Sequence, residues 1–139
     1  MFKEKGGRML LLARLFFCLF LVACFATATD AKDLCLGTFS SFHVNHESGD
    51  LLGVEIKIVL THAGKQAVIQ FSEGEPGPLV ITPIVCDGAH LSFILPSVSG
   101  REATTFNGSI FKDQITGDFF FKNGGREKVV LIRRKSYWD

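Results

Sequence analysis

Apolar and polar residues alternate with a period of two through most of this sequence. Residues 54–61 read VEIKIVLT, and residues 66–72 repeat the alternation after a four-residue link. This pattern is typical of a strand that buries one face, because successive side chains on a strand point to opposite sides of the sheet. We therefore expect Val54 and the even-numbered residues up to Leu60 to face a core, and Lys57 and Gln70 to face solvent.

Residues that favour turns separate further segments of the same kind. Asp87-Gly88 and Asn123-Gly124-Gly125 are typical of tight turns, and Glu75-Pro76-Gly77-Pro78 has the residue order of a type II turn. The first segment loses its alternation near Ser40-Ser41, where we expect a β-bulge. The count is then eight strands, at residues 34–44, 54–61, 66–72, 79–86, 90–95, 104–111, 115–122 and 127–134.

Short links between consecutive strands favour the simplest connection of an all-β fold. Eight such strands in about 105 residues predict an antiparallel up-and-down meander that closes into a small barrel, since closure leaves no exposed edge. A β-sandwich is the alternative. Phe93 and Phe119 are expected in the core. One register brings three like pairs together on one face of the sixth and seventh strands: Ile110 with Ile115, Gly108 with Gly117, and Phe106 with Phe119.

The first 28 residues differ from the rest of the chain. A basic start that includes Lys3 and Arg8 precedes an apolar stretch, which ends in Ala26-Thr27-Ala28. A basic start, a short apolar region and small residues at the cleavage site are the parts of a secretory signal. We therefore expect a signal-peptide helix at residues 1–28, a β-barrel domain at residues 29–139, and an exported protein, periplasmic or extracellular.

Two other interpretations of this segment stay open. Leu21-Val22-Ala23-Cys24 resembles the lipobox of bacterial lipoproteins, in which a lipid on Cys24 would anchor the chain to a membrane. A transmembrane anchor needs about 20 apolar residues. Arg14 leaves an unbroken run of only 14, at residues 15–28. Cleavage after Ala28 is therefore the first expectation, and lipidation at Cys24 is the alternative.

The charge balance argues against one class of partner. Four of the 15 Lys and Arg and one of the 14 Asp and Glu lie in the first 28 residues, which leaves 11 basic against 13 acidic groups in the rest. This balance provides no basic surface for nucleic acid. Arg133-Arg134-Lys135, the densest basic run, is expected to be a solvated strand end.

Two cysteines remain after removal of the signal, Cys35 and Cys86. Thiols in an oxidising compartment usually pair, so we expect a disulfide between them. The first and fourth strands are not neighbours in a meander. The bond therefore requires Cys35 to precede the first strand, near the barrel end where Cys86 leads into a turn. Two separate buried thiols are the alternative.

Nothing in the sequence predicts catalysis. It lacks the G-x-S-x-G nucleophile elbow, the G-x-x-x-x-G-K phosphate loop and a cysteine with a motif-placed histidine, so we expect neither enzyme activity nor a cofactor. His43, His46, Glu47 and Asp50 are the one cluster of metal-capable side chains. Residues three apart on a strand face opposite sides, so we interpret this segment as a solvated loop rather than a metal site.

Four aromatic residues form a candidate contact surface. Phe120 is expected to point outward near Phe111 on the neighbouring strand, and Tyr137 and Trp138 add an aromatic chain end. One interpretation is core filling with scattered surface apolar residues. The other is an outward patch that meets a protein partner or a membrane surface.

The C-terminal third resembles a known pattern. Phe106-Asn107-Gly108-Ser109-Ile110, Ile115-Thr116-Gly117-Asp118-Phe119 and Val130-Leu131-Ile132-Arg133 follow the order F-x-G-x-I, I-x-G-x-F and an apolar strand ending in Arg. This order is similar to that of the lipocalin-like or avidin-like barrel domains of uncharacterised bacterial secreted proteins. The resemblance implies a small barrel and no shared catalytic residues. The G-x-W signature of true lipocalins is absent, and Gly37-Thr38-Phe39 is the nearest segment to it.

These observations favour an exported, non-enzymatic binding module. It would take a small apolar or amphiphilic ligand in the barrel mouth, or serve as an envelope accessory protein. The alternative is a secreted protein–protein inhibitor of the lysozyme- or protease-inhibitor type. A continuous cavity would favour the first function, and a filled core with a protruding loop would favour the second.

Overall fold

Strands follow one another along the whole of the described chain in the computed structural model, which describes residues 33–97 and 102–139. The predicted signal peptide at residues 1–28 and the candidate lipidation site Cys24 lie outside these residues. The strands are β1 (Gly37–Ser40), β2 (His43–Val44), β3 (Leu51–Thr61), β4 (Gly64–Gly74), β5 (Val80–Asp87), β6 (His90–Leu95), β7 (Thr104–Phe111), β8 (Gln114–Phe121) and β9 (Arg126–Arg133). Within the described residues, no helix has the length and apolar character needed to cross a bilayer.

Hydrogen-bonded pairing closes these strands into a barrel. Each strand from β3 to β9 pairs antiparallel with the next, and β1 pairs with both β9 and β3. β1 and β2 both pair with β3, so they are two parts of one strand. The fold is therefore the predicted closed, eight-stranded antiparallel barrel with up-and-down order, and not a sandwich.

The first strand is interrupted at Ser41-Phe42, next to the predicted bulge. No extra residue is present there, because β1 and β2 pair with β3 in one register. The hydroxyl of Ser41 accepts the Val54 N–H at 3.0 Å, and the Ser41 carbonyl faces the His43 ring at 3.1 Å instead. The prediction of a bulge was therefore wrong. The Ser41 hydroxyl replaces a main-chain carbonyl as acceptor, which interrupts the hydrogen bonding between the strands but leaves their register unchanged.

The register predicted between β7 and β8 is confirmed. Its three pairs are Ile110 with Ile115, Gly108 with Gly117, and Phe106 with Phe119. A Cβ atom on Gly117 would lie 2.7 Å from the Asn107 carbonyl oxygen and would also meet the Phe106 ring. The glycine pair therefore provides the space that the Phe106 ring occupies.

Inward side chains form one core that is rich in phenylalanine. Phe93 and Phe119 are 4% and 1% exposed, as predicted. The Phe106 ring lies between them, with centroid distances of 4.8 Å to Phe93 and 4.7 Å to Phe119. Lys57 is exposed as expected. Leu60 is 67% exposed, which contradicts its predicted core position. It stands next to the β3–β4 turn, beyond the last layer of the core.

The two ends of the barrel differ in their connections. At one end, two-residue turns join β3 to β4, β5 to β6 and β7 to β8; we call this the short-turn end. At the other end, longer segments join β2 to β3, β4 to β5, β6 to β7 and β8 to β9; we call this the long-loop end. Antiparallel order alone puts alternate connections at opposite ends, so the chain separates its short and long connections in space.

Residues 33–36 close the short-turn end. Cys35 is 1% exposed and packs among core residues. It lies at disulfide distance from Cys86, with 6.6 Å between the Cα atoms. Cys35 precedes β1 and Cys86 is next to the end of β5, which is the arrangement that the predicted bond requires. The Asp33 carboxylate accepts the Cys35 N–H at 3.1 Å and pairs with Lys65 at 2.7 Å.

The end of the chain packs on the outer face of the barrel. Ser136 donates its hydroxyl to the Glu55 carboxylate at 2.6 Å, and the Tyr137 N–H donates to the same carboxylate at 3.0 Å. The indole N–H of Trp138 donates to the side-chain oxygen of Gln70 at 2.8 Å. Glu55 faces outward from β3, yet these contacts leave it only 6% exposed.

Candidate ligand-binding site

A cavity of about 430 Å³ lies at the long-loop end of the barrel. Small-molecule sites in proteins commonly occupy about 300–1,000 Å³, so the cavity is large enough for a small ligand. Its apolar lining includes Phe71, Val80, Leu95, Phe119 and Phe121. These side chains come from β4, β5, β6 and β8, so the cavity spans the barrel mouth rather than a groove on one sheet face.

The floor of the cavity is the upper layer of the core. Phe119 and Phe121 are two residues apart on β8 and therefore point to the same side. Phe119 is buried, whereas Phe121 is half-buried and continues the same row into the cavity. Phe71 on β4 meets Phe119 with 5.4 Å between ring centroids. Along β8, the inward-facing side chains therefore change from packed core at Phe119 to cavity lining at Phe121.

The connection between β4 and β5 folds back along β4 and forms one wall. Gly77 donates its N–H to the Phe71 carbonyl at 2.8 Å, and its own carbonyl accepts the Gln70 side-chain amide at 2.9 Å. The predicted type II turn needs a positive φ at Gly77. Gly77 does not have a positive φ, whereas Gly74, three residues earlier, has a φ of 119°. The prediction was therefore wrong, because bonds to β4 hold Gly77 and the chain turns earlier.

Three carboxylates stand among the lining residues: Glu73 at the end of β4, Glu75 in the following connection and Glu102 just before β7. All three side chains are exposed. None of the lining residues that the structure describes is Lys, Arg or His. The cavity therefore combines an apolar floor, which favours hydrocarbon or aromatic groups, with an acidic rim.

The alternation and the turn residues of the sequence did not predict this cavity. Alternation correctly predicted that Phe71 and Phe119 face inward, but it carries no information on where the packed core ends. The glutamates lie in or beside connections, where acidic residues are common on any surface. The long connections at one barrel end are the one sequence signal that could have pointed to this mouth.

The four residues of the predicted aromatic surface lie in separate places. Phe111 pairs with Gln114, six residues before Phe120, so the two phenylalanines are about 20 Å apart at 3.3 Å per residue. Tyr137 and Trp138 contact each other, with 4.9 Å between ring centroids, near the outer face of β3 and β4. All four are exposed, by 40% to 74%. The prediction that Phe120 lies near Phe111 was wrong, because the β7–β8 register separates them.

Two arginines of the basic run at residues 133–135 donate hydrogen bonds to main-chain carbonyl groups. Arg133 donates to the carbonyl groups of Leu34 and Leu36. Arg134 donates to the carbonyl group of Phe42. Arg133 is half-buried, so the prediction of a solvated strand end was wrong for Arg133, whereas Arg134 and Lys135 are exposed as predicted. Barrel closure explains the difference, since it places the last strand beside the first.

The histidine-containing segment forms a turn with its own hydrogen bonds. The Asn45 N–H donates to the Asp50 carbonyl at 2.8 Å, and the Asn45 side chain accepts the Glu47 N–H at 3.0 Å. His43 and His46 are both exposed. In residues 33–97 and 102–139, these side chains are not among those close enough to share a metal ion.

A different trio of metal-capable groups comes together in the described part of the chain. Ligand atoms of Asp33, Cys35 and Cys86 lie within 4.8 Å of one another. The two sulfur atoms are at disulfide distance. A hydrogen bond from Lys65 lowers the pKa of the Asp33 carboxyl. These contacts give the trio a structural role in holding residues 33–36 across the short-turn end.

No protein-family model matches the sequence, and a search among curated proteins found no match. The cavity and its chemistry are therefore the observations that bear on function.

Proposed function

We propose that the mature chain is an exported, non-enzymatic binding module that holds a small apolar or amphiphilic molecule in the barrel mouth. The observation that carries this proposal is the cavity of about 430 Å³ with an apolar floor. Residues 33–36 at the short-turn end also support it, because the buried Cys35 fills that end and a ligand would enter from the long-loop end. Apolar ligand surface buried there would stabilise the complex by roughly 25 cal/mol per Å² before binding costs are subtracted.

A lipocalin-like assignment belongs to the same proposal. The closed antiparallel barrel is consistent with that fold. Phe39, in the segment nearest to the missing G-x-W signature, is fully buried in the core. The ligand would sit at the mouth above Phe71 and Phe119, because the interior below them is filled by side chains.

Export is the setting that we propose for this function. Cys35 and Cys86 lie at disulfide distance, and such pairs persist mainly in oxidising compartments. Cleavage after Ala28 would release the barrel domain as a free protein. Lipidation at Cys24 would instead anchor it to a membrane surface.

The alternative function is a secreted protein–protein inhibitor. One observation favours it: Ile81, Val85 and Ile94 are each more than 60% exposed on the outer faces of the neighbouring strands β5 and β6. Exposed apolar groups on adjacent strands are typical of surfaces that meet a protein. An inhibitor would bind its target through this outer face, and substitutions at the cavity would leave that binding unchanged.

A neutral fluorescent dye tests the proposal directly. The full chain is expressed and the exported protein is titrated with N-phenyl-1-naphthylamine, whose emission rises in apolar surroundings. We expect saturable binding. Phe121→Asp should weaken it by about tenfold or more, because a carboxylate replaces an apolar side chain worth about 1.5–3 kcal/mol on burial.

The neighbouring residue provides the matched control. Phe120 precedes Phe121 on β8 but points outward and is 40% exposed. Phe120→Asp should keep the dye affinity of the wild type. Thermal melts establish that both variants fold, and Val80→Trp, which fills the cavity without adding charge, repeats the test if Phe121→Asp unfolds. Absence of saturable binding, or equal losses at Phe120 and Phe121, would refute the proposal.

A further inference from the structure

The ionisable residues that the structure describes in the cavity lining are all acidic. Glu73, Glu75 and Glu102 contribute carboxylates, and no basic residue occurs among the described lining residues. Glu75 lies in the β4–β5 connection and Glu102 in the β6–β7 connection, so negative charge approaches the opening from two separate segments. A cleft with charge of one sign and low-dielectric walls concentrates its field on whatever enters.

Taken together with the lining residues Glu75 and Glu102, the connections at the long-loop end have an acidic excess. The connections at this end, residues 45–50, 75–79, 96–103 and 122–125, carry the acidic residues Glu47, Asp50, Glu75 and Glu102 and the basic residues Arg101 and Lys122. Arg101 lies outside the described residues and is counted here at its full charge. Negative charge therefore predominates even when every basic residue of these connections is included.

The short-turn end has no such excess. Its basic residues Lys65, Lys112 and Arg133 stand against Asp33, Asp87 and Asp113. The acidic excess is therefore confined to the long-loop end. A cation approaching from solution is attracted to the mouth, whereas an anion is repelled there.

The floor adds a second preference for positive charge. Phe71, Phe119 and Phe121 present aromatic rings to the cavity. The face of an aromatic ring attracts ammonium groups, and this attraction is strongest for desolvated cations such as quaternary ammonium. Carboxylates at the rim and aromatic rings below them therefore favour the same ligand charge.

We propose that the ligand is a cationic amphiphile, with its hydrocarbon part on Phe119 and Phe121 and its amine or quaternary ammonium group at the rim beside Glu75 and Glu102. This proposal rests on the proposed function, because it names the ligand class of the same cavity. It disfavours fatty acids and other anionic amphiphiles, whose carboxylate would have to sit beside those of Glu75 and Glu102.

Three probes with the same ten-carbon chain separate charge from hydrophobicity. Decyltrimethylammonium, decanol and decanoate are each titrated, below their micelle-forming concentrations, as competitors of N-phenyl-1-naphthylamine on the exported protein at low salt. We expect the ammonium to bind at least about tenfold more tightly than decanoate, with decanol between them. Added salt should shrink the difference, because screening shortens the range of exposed charges to about 3 Å at 1 M.

Neutral isosteres test the rim itself. Glu75→Gln with Glu102→Gln should lower the affinity for decyltrimethylammonium by about three- to tenfold and leave that for decanol unchanged. The matched control is Glu47→Gln with Asp50→Asn, which removes two charges from the same end of the barrel but outside the lining. The control should produce a smaller loss than the rim variant.

The two proposals fail in different ways. Decanoate binding as tightly as the ammonium, or a rim variant with undiminished ammonium affinity, would overturn the cationic ligand class while the binding module stands. Failure of all three probes to compete, together with no saturable dye binding, would overturn the proposed function and this inference with it.

Discussion

The guanidinium group of Arg133 lies over the ring of Phe39, 4.3 Å from its centre. Phe39 belongs to β1 and Arg133 ends β9, and the two strands pair through just two residue pairs. The same guanidinium donates to the carbonyl groups of Leu34 and Leu36. Arg133 therefore closes the barrel with its side chain where the main-chain ladder is short, and holds residues 33–36 over the short-turn end.

We expect Arg133→Met to lower the free energy of unfolding by about 2–3 kcal/mol, since hydrogen bonds to charged groups contribute about 1.5–3 kcal/mol. Arg133→Lys should recover part of this loss, because an ammonium keeps the charge but lacks the planar fork that reaches two carbonyl groups. Urea titration measures both. Asp113→Asn is the control: Asp113 pairs with Arg133 at 3.0 Å but its side chain is 77% exposed, so the change should stay within about 0.5 kcal/mol. Equal stability of Arg133→Met and wild type would contradict this role.

Gly117→Ala should destabilise the barrel by about 1–3 kcal/mol, the usual cost of adding a methyl group to a packed core. The added Cβ would lie 2.7 Å from the Asn107 carbonyl oxygen and against the Phe106 ring. Thermal unfolding measures the effect. Asn107→Ala changes the neighbouring strand at an exposed position and should stay within about 0.5 kcal/mol. A melting temperature for Gly117→Ala at or above that of wild type would show that the glycine pair is not required.

Gln70→Ala and Lys57→Ala should differ, although the alternation treats both residues as solvent-facing. Gln70 accepts the Trp138 indole N–H at 2.8 Å and donates to the Gly77 carbonyl at 2.9 Å. Loss of two hydrogen bonds should cost about 1–2 kcal/mol, whereas Lys57→Ala should stay within about 0.5 kcal/mol. The midpoints of urea unfolding compare the stability of the Gln70→Ala and Lys57→Ala variants. Trp138→Phe should reproduce part of the Gln70 effect, and coincident midpoints for all three variants would mean that the chain end adds no stability.

The Cys35–Cys86 bond should contribute about 4 kcal/mol in the chain-entropy model, because it links residues 51 apart in sequence. Reduction, or Cys35→Ala with Cys86→Ala, should lower the urea midpoint accordingly. Dye binding at temperatures where the variant stays folded should persist, because the cavity lies at the other end of the barrel. Two free thiols in denatured, unreduced exported protein would show that the bond does not form.

At acidic pH, Asp33 should contribute less to the free energy of unfolding. The hydrogen bond from Lys65 lowers the pKa of Asp33 below its ordinary value of 3.8, so the folded state favours the carboxylate. This stabilisation is present above pH 3.8 and is lost as the pH falls through the lowered pKa of the folded state. Asp33→Asn should therefore be less stable than wild type at pH 6, and the difference should narrow below pH 3.8. A difference that is constant from pH 6 to pH 2 would contradict the assignment.

The period of two, read from the sequence, determined most of the barrel. It located the strands, and with the turn residues it predicted the β7–β8 register and the inward positions of Phe93 and Phe119. These properties are local, because the direction of a side chain on a strand follows from backbone geometry and its neighbours along the chain. The sequence also predicted that Cys35 and Cys86 come together at one barrel end, and they lie at disulfide distance.

Only the tertiary structure decided which outward-facing side chains are covered and where the packed core of the barrel ends. Glu55 and Gln70 alternate outward like Lys57, yet the chain end packs on them. In the sequence, Arg133 is a charged residue at the end of an apolar strand. In the structure it binds the Leu34 carbonyl, 99 residues away in sequence. The cavity exists because the core ends below Phe121 at the long-loop end, whereas Cys35 fills the other end. Each of these contacts joins residues that only barrel closure brings together, and the alternation of one strand carries no record of its distant partners.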